Sequence, residues 1–267
     1  MIVPAMRPLV LVSTASVVTL GVAAGACSKS SGDASVLQPA DLAANGAPFD
    51  PNEIVDLGSF TDSDAFAAPD VAAFLSHTPY GGASFLATYD SNGIAADDAV
   101  VTAAAKYTLN PLVFLVRAEM DQGLIAASTY PSDPARVEYV FGCGCDGEGS
   151  CDPDYAGFDV QVDCFGAALR DDLDDIMANG QTPGGWAPMV ATVTIDGVTV
   201  SPDDASTAAL YQYTPVVAVG QAGGSWLFWN IWQIYAGALG YAGPTDVTPR
   251  GASMRPPSIA VHGSMTR

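Results

Sequence analysis

The sequence predicts a mainly α-helical domain with one small β-hairpin, an α+β arrangement, and three observations carry that expectation. Phe158, Val162, Phe165, Leu169, Leu173 and Ile176 recur at three- and four-residue spacing, the period of a helix with one buried face. Asn110 to Ile125, NPLVFLVRAEMDQGLI, reads as a short helix with punctuation at both ends. Val190, Thr192, Thr194 and Ile195 lead into Asp196-Gly197, and Val198-Thr199-Val200 returns, the pattern of a hairpin closed by a tight two-residue turn.

In chain order, residues 1–27 stand outside the fold. Arg7 is the only charge before Lys29, an apolar run extends from Leu9 to Ala24, and Gly25-Ala26-Cys27 follows. That is the layout of a secretory signal. It resembles a bacterial lipoprotein signal, in which Cys27 becomes the lipidated first residue of the mature chain. An ordinary cleaved signal and a retained anchor helix are the alternatives. Ser28 to Ser35 is rich in Ser and Gly and reads as a flexible tether, extended to residue 50 by an irregular Ala/Pro/Asn segment. Asn52 to Phe60 is expected to be extended. Pro69-Asp70 opens a helix through Val71, Phe74 and Leu75, which Pro79 and two glycines break. His77 at that break suits a surface or capping position better than a proton shuttle. Phe85 to Tyr89 ends in the turn signal Asp90-Ser91-Asn92-Gly93. Asp97 and Asp98 then favour a helix start, with Ala99 to Tyr107 as its body. The next helix begins almost at once, so the two should be neighbours in space.

That next helix is the centre of the protein. Asn110 can cap its first turn, Pro111 fits the first helical position, and Gly123 suits the left-handed position past its end. Leu112, Val113, Phe114, Leu115, Val116, Ala118 and Met120 cover most of its circumference, so it should be buried. It nevertheless carries Arg117, Glu119 and Asp121, and buried carboxylates are costly unless paired. At about 100° per residue, Glu119 and Asp121 point roughly 160° apart. Glu119 falls between Leu112, Leu115 and Val116, and apolar surroundings raise a carboxyl pKa as a general acid at neutral pH requires. Its structural alternative is a carboxyl paired with a backbone N–H or a tyrosine hydroxyl. Asp121 lies one turn after Arg117, and an ion pair there would favour its charged form.

Arg136 to Phe141 alternates and is expected to be extended. The segment CGCDGEGSCDPDYAGF should be a loop held by disulfides, and Cys143, Cys145, Cys151 and Cys164 allow three pairings. A zinc site is the rival, but His77 and His262 are distant and there is no second close cysteine pair. A long helix from Phe158 should stop at Asn179 before Gly180, with Asp171, Asp172, Asp174 and Asp175 solvated near its end. Asp203 and Asp204 should cap a helix through Ala208, Leu210 and Tyr211 that ends at Tyr213-Thr214-Pro215. Gly223-Gly224-Ser225 leads into a last helix with Trp226, Phe228, Trp229, Trp232 and Tyr235. At that spacing the stripe is core packing, with a sugar-stacking face as the sharper alternative. Residues 244–267 read as a disordered tail.

Composition narrows the function. The 267 residues are 49% hydrophobic, enough for a real core, with the domain expected over residues 51–243. The formal charge is −20, and all 29 acids lie between Asp33 and Asp246, where the cations are Lys106, Arg117, Arg136 and Arg170. Such a surface repels nucleic-acid phosphate and anionic lipid, so no nucleic-acid partner is expected. Solubility is the plain reading of the acidity, and calcium binding by Asp146, Asp152 and Asp154 is a weaker one. There is no phosphate-loop or dinucleotide signature and too few histidines for a metalloprotease motif, so neither cofactor nor metal is implied.

The segments AAAKYTLNPLVFLVRAEMDQGLI, CDPDYAGFDVQV, STAALYQYTP and FWNIW, in this order, resemble the secreted bacterial relatives of lytic transglycosylases and glucosaminidases within the lysozyme-like superfamily. The resemblance covers about Asp62 to Gly240. It implies a lysozyme-like helical domain acting on peptidoglycan or a related β-1,4-linked amino-sugar glycan, as a glycoside hydrolase or lytic transglycosylase. The catalytic acid of that family is a glutamate at the end of the central helix, and Asp121, before Gln122-Gly123, stands in its place. Aspartate is shorter by one methylene, about 1.5 Å of reach, and a displacement on the order of 1 Å can cost about 10²-fold in rate. Glu119 is the rival acid. Gln122, and Tyr211 and Tyr213 of the YxYTP segment, would line the sugar cleft. The resemblance also matches Cys145 and Cys151 to a family pair, with Cys143–Cys164 expected as an added bridge. With the signal, it places the protein outside the cytoplasm, lipid-anchored at the outer membrane or cell surface. A non-catalytic envelope protein that keeps the fold to bind glycan is the second reading, favoured by the aspartate.

Overall fold

The computed structural model describes residues 49–146 and 149–244. Expectations about the signal, Cys27, residues 28–48 and the tail beyond Pro244 lie outside the described residues. Among the described residues the chain is mainly helical, with eight α-helices and two minimal antiparallel hairpins. The helices are α1 (Leu57–Phe60), α2 (Ala68–Ser76), α3 (Ala96–Tyr107), α4 (Pro111–Gln122), α5 (Ala135–Glu138), α6 (Phe158–Asn179), α7 (Ala205–Tyr213) and α8 (Gly224–Leu239). Strands β1 (Asp90–Ser91) and β2 (Ile94–Ala95) pair around Asn92-Gly93, and β3 (Thr192–Val193) pairs with β4 (Thr199–Val200).

Helix α4 runs through the middle of the core. Every residue from Pro111 to Glu119 is buried. Its start is fixed as the sequence suggested. The Asn110 side chain accepts from Leu112 N at 2.9 Å and donates to Ser59 O at 3.0 Å, tying α1 to α4. Gly123 closes the other end with φ 64°, its N–H bonded to Glu119 O. Helix α8 packs along α4, α6 packs against α3, and α7 lies on α6. Gly166 permits the α3–α6 approach, because a Cβ there would meet the Tyr107 ring at 2.5 Å. Trp226, Trp229 and Trp232 are all buried, so the aromatic stripe of α8 is core.

The core begins before residue 51, since Phe49 packs edge-on to Trp229 at 5.8 Å. Three local expectations are corrected. Residues 57–60 form a helical turn rather than extended chain, because Asp56 accepts from Ser59 N and Asp204 from Leu57 N. Residues 135–138 form a helical turn as well. Asp133 caps Ala135 N, and Val137 is driven fully inward. The β3–β4 loop has three residues, not two. Thr194 N bonds Val198 O and Gly197 N bonds Thr194 O, with Gly197 at φ 82°. The acids near the end of α6 are not uniformly solvated either. Asp174 pairs with Arg170 at 2.7 Å, and burial, then the charges of Asp175 and Asp171, push Asp172 up to about 6.

Among the described residues, disulfides join Cys143 to Cys164 and Cys145 to Cys151. The loop between them is organised by Gln161, which is fully buried. Its Oε1 accepts from Phe141 N and Cys143 N at 3.1 Å each, and its Nε2 donates to Cys143 O and Tyr155 O at 2.9 Å each. Among the described residues no cluster of three or more His, Cys, Asp or Glu is placed to hold a metal. Asp152 caps Asp154 N, and Asp146 accepts from Ser150 N, so both carboxylates brace the loop.

Candidate functional site

The candidate site is the C-terminal half of α4, where Arg117, Glu119, Asp121 and Gln122 occupy two turns. The helix separates the two carboxylates onto opposite sides, as the helical wheel requires.

On one side, Arg117 Nη2 donates to both oxygens of Asp121, at 2.7 and 2.8 Å. The arginine side chain is 5% exposed and the aspartate 19%. Arg117 Nη1 donates to Thr214 Oγ1 at 3.1 Å, and the guanidinium lies 4.3 Å from the centre of the Tyr213 ring. The buried Nε has no hydrogen-bond partner. Burial pushes the Asp121 carboxyl up, and the charge and hydrogen bonds of Arg117 pull it back down. Burial also lifts the Tyr213 hydroxyl to about 12, so this ring is a neutral partner of the cation. That hydroxyl donates to Phe141 O at 2.7 Å.

On the other side, Glu119 is 1% exposed. Its Oε2 accepts from Ile125 N at 3.0 Å and Ala126 N at 2.9 Å, which pins the turn after Gly123. Its Oε1 is buried with no hydrogen-bond partner. Burial raises the Glu119 pKa, opposed by these N–H groups, by the Tyr80 hydroxyl and by Arg136. Tyr80 shares its own hydrogen bond with Tyr235 at 3.1 Å. Arg136 reaches the Gln122 carbonyl, so Gln122 is engaged through its backbone.

The YxYTP segment is likewise committed to the scaffold. Tyr211 is fully buried, stacked on Trp186 at 5.0 Å, and its hydroxyl donates to Pro51 O at 2.7 Å. It therefore offers no surface to a ligand. Tyr213 and Thr214 hold Arg117. The structure brings Asp121, Tyr213 and Thr214 together around Arg117, and leaves Glu119 and Tyr211 in separate surroundings. Sequence reasoning did not single out Tyr80 or Gln161, and it placed Thr214 only at a helix end and Tyr235 only in the aromatic stripe. Gln161 lies within the CDPDYAGFDVQV segment, where a polar residue on the apolar face of α6 was the available signal.

Two cavities can be described near the helices that carry these residues. A cavity of about 10 Å³ adjoins Arg117, Thr214 and Ser225, room for a water at most. A groove of about 1350 Å³ lies elsewhere, between α2, the 61–66 loop and the end of α8, with Asp62, Asp64, Phe66, His77 and Tyr241 among its walls. Neither contains Glu119, Asp121 or Gln122. Compared with protein-family models, curated proteins and solved structures, the chain matches none.

Proposed function

We propose that the protein is an exported envelope lipoprotein whose lysozyme-like domain binds a peptidoglycan-type glycan without cleaving it. One observation carries the non-catalytic part. The carboxylate at the family's catalytic position, Asp121, is held by both oxygens on a buried arginine, and its neighbour Glu119 is sealed in the core on two backbone N–H groups. A general acid must reach the glycosidic oxygen. Glu119 has no path to one, and Asp121 is one methylene short with both oxygens occupied. The glycan and the lipid anchor rest on the resemblance and on the signal before Cys27; two disulfides are compatible with export. The enzymatic reading retains one supporting observation, the 19% of Asp121 that is open together with the upward push of burial on its carboxyl.

Purified peptidoglycan mixed with the protein decides between them. Co-sedimentation with no release of muropeptides is expected, from the wild type and from Asp121→Glu alike. Soluble fragments, with anhydro ends for a transglycosylase or reducing ends for a hydrolase, that disappear in a folded Asp121→Asn protein would establish an enzyme instead. Absence of both binding and release removes the glycan altogether.

A further inference from the structure

The β3–β4 hairpin carries an apolar surface that the glycan reading does not use. Val193 is 63% exposed and Ile195 65%, and Met189, Val190, Val198 and the neighbouring Val219 are exposed with them. The knob they form is firmly built. Asp196, its one acid, turns its carboxylate back to accept from Thr194 Oγ1 at 2.6 Å, Val217 N at 3.1 Å and Ala218 N at 2.9 Å. This ties the hairpin tip to the loop that presents Val219.

The knob belongs to a charge-poor stretch of a strongly acidic chain. Between residues 176 and 202 the only charged side chain is Asp196, and residues 205–245 contain none. The remaining acids of the described chain lie on other elements; nearest are Asp203 and Asp204 after β4, and Asp50 and Glu53 on either side of Asn52 at the hairpin's base. Elsewhere an acidic surface is kept from any apolar phase by the cost of desolvating carboxylates. The first described residues also meet the domain here. Asp203 N donates to Asn52 O at 2.8 Å and Ser201 N to Asn52 Oδ1 at 2.7 Å, immediately after β4. The knob is wholly aliphatic apart from one thioether, lacking the Trp, Tyr and Arg anchors that dominate protein–protein hot spots.

We infer that the β3–β4 hairpin and the Val219 loop form a peripheral docking surface for the lipid bilayer that holds the anchored protein, seating the domain with its acidic faces turned away. The direction of approach rests on the lipoprotein reading; the hairpin chemistry does not. No helix among the described residues is long and apolar enough to cross a membrane, so the contact is a surface one.

The test is photo-crosslinking of the full chain in its own envelope, with benzoylphenylalanine replacing Ile195 and, as a control on the acidic side, Asp171. A phospholipid adduct at position 195, at least tenfold above that at position 171, is expected. Val193→Asp combined with Val198→Asp should lower the position-195 adduct at least tenfold; both sites are exposed, and intact disulfides report that the variant has folded. Equal yields at the two positions, or adducts at position 195 to a second copy or to another protein, overturn the inference. Fatty-acid labelling at Cys27 is read separately. Label without a lipid adduct sinks the hairpin and spares the anchor, while an adduct without label supports the hairpin and removes the anchor.

Discussion

Breaking the Arg117–Asp121 pair distinguishes a structural carboxylate from a catalytic one. In Asp121→Asn, Arg117 keeps its contacts to Thr214 and the Tyr213 ring, but Nη2 loses the carboxylate and Nε has no partner to begin with. Removing one member of a buried ion pair costs about 3–5 kcal/mol. Asp121 is partly open and the amide oxygen can still accept one bond, so the expected loss is near the lower end, about 3 kcal/mol. Arg117→Met should cost less, about 2 kcal/mol, because the stranded aspartate can take up water through its open edge. The double variant Arg117→Met/Asp121→Asn leaves no buried charge and should fall well short of the sum, giving a coupling of at least about 2 kcal/mol. Urea denaturation of the four proteins with disulfides intact, followed by tryptophan fluorescence, measures the cycle. A coupling below about 0.5 kcal/mol would mean that the pair does not hold the structure. The geometric case against Asp121 as an acid would then collapse.

Glu119→Gln should gain stability relative to wild type as pH rises. The folded pKa of Glu119 is raised by burial, so its favourable contribution is complete below the ordinary glutamate value of about 4.3 and is lost as pH climbs from there through the folded value. The difference between the two proteins' stability curves from pH 4 to 8 shows this, and a flat or opposite difference refutes it. Gln161→Leu strands two backbone N–H and two C=O groups at the disulfide loop, and thermal unfolding should register a loss of about 3 kcal/mol or more. Equal melting of mutant and wild type would deny Gln161 its organising role. Replacing Cys143 and Cys164 by serine should cost about 3 kcal/mol, and replacing Cys145 and Cys151 about 2 kcal/mol, since the first bridge closes the longer loop. The reverse order in denaturant midpoints contradicts the loop-entropy account.

Features carried by short-range rules were legible in the sequence. Asn110, Pro111 and Gly123 bound α4, and the α6 stripe ran to Gly180, because caps and periodicity act within a few residues. The Arg117–Asp121 pair and the opposed direction of Glu119 followed from helix geometry alone. Two of the misread segments also have distant partners. Residues 57–60 turn helical where Asp204 supplies a carboxylate, and residues 135–138 coil where Arg136 finds the Gln122 carbonyl. At the site, the identities of the polar residues were visible but their occupations were not. Tyr211 stacks on Trp186, which is 25 positions earlier, and Tyr213 hydrogen-bonds Phe141, which is 72 away. A tyrosine committed to the scaffold and one offered to a ligand share the same sequence signal.

The clasp between the first described residues and α7 has a consequence for how the chain reaches this fold. Pro51, Asn52, Ile54, Val55 and Leu57 are bonded to residues between Ser201 and Tyr211, at sequence separations near 150. Synthesis proceeds from the N-terminus, so the segment from Pro51 to Leu57 waits without its partners until about 150 further residues have been made. Helices α3, α4 and α6 can assemble meanwhile from nearer contacts, before the α7 partners of Ile54 and Val55 exist. A chain truncated before Ala205 lacks both α7 and α8, the partner of α4, and should be exposed to proteases. Docking of Pro51–Leu57 on the 201–211 segment must therefore close a loop of about 150 residues, an entropic cost that forming no single helix carries.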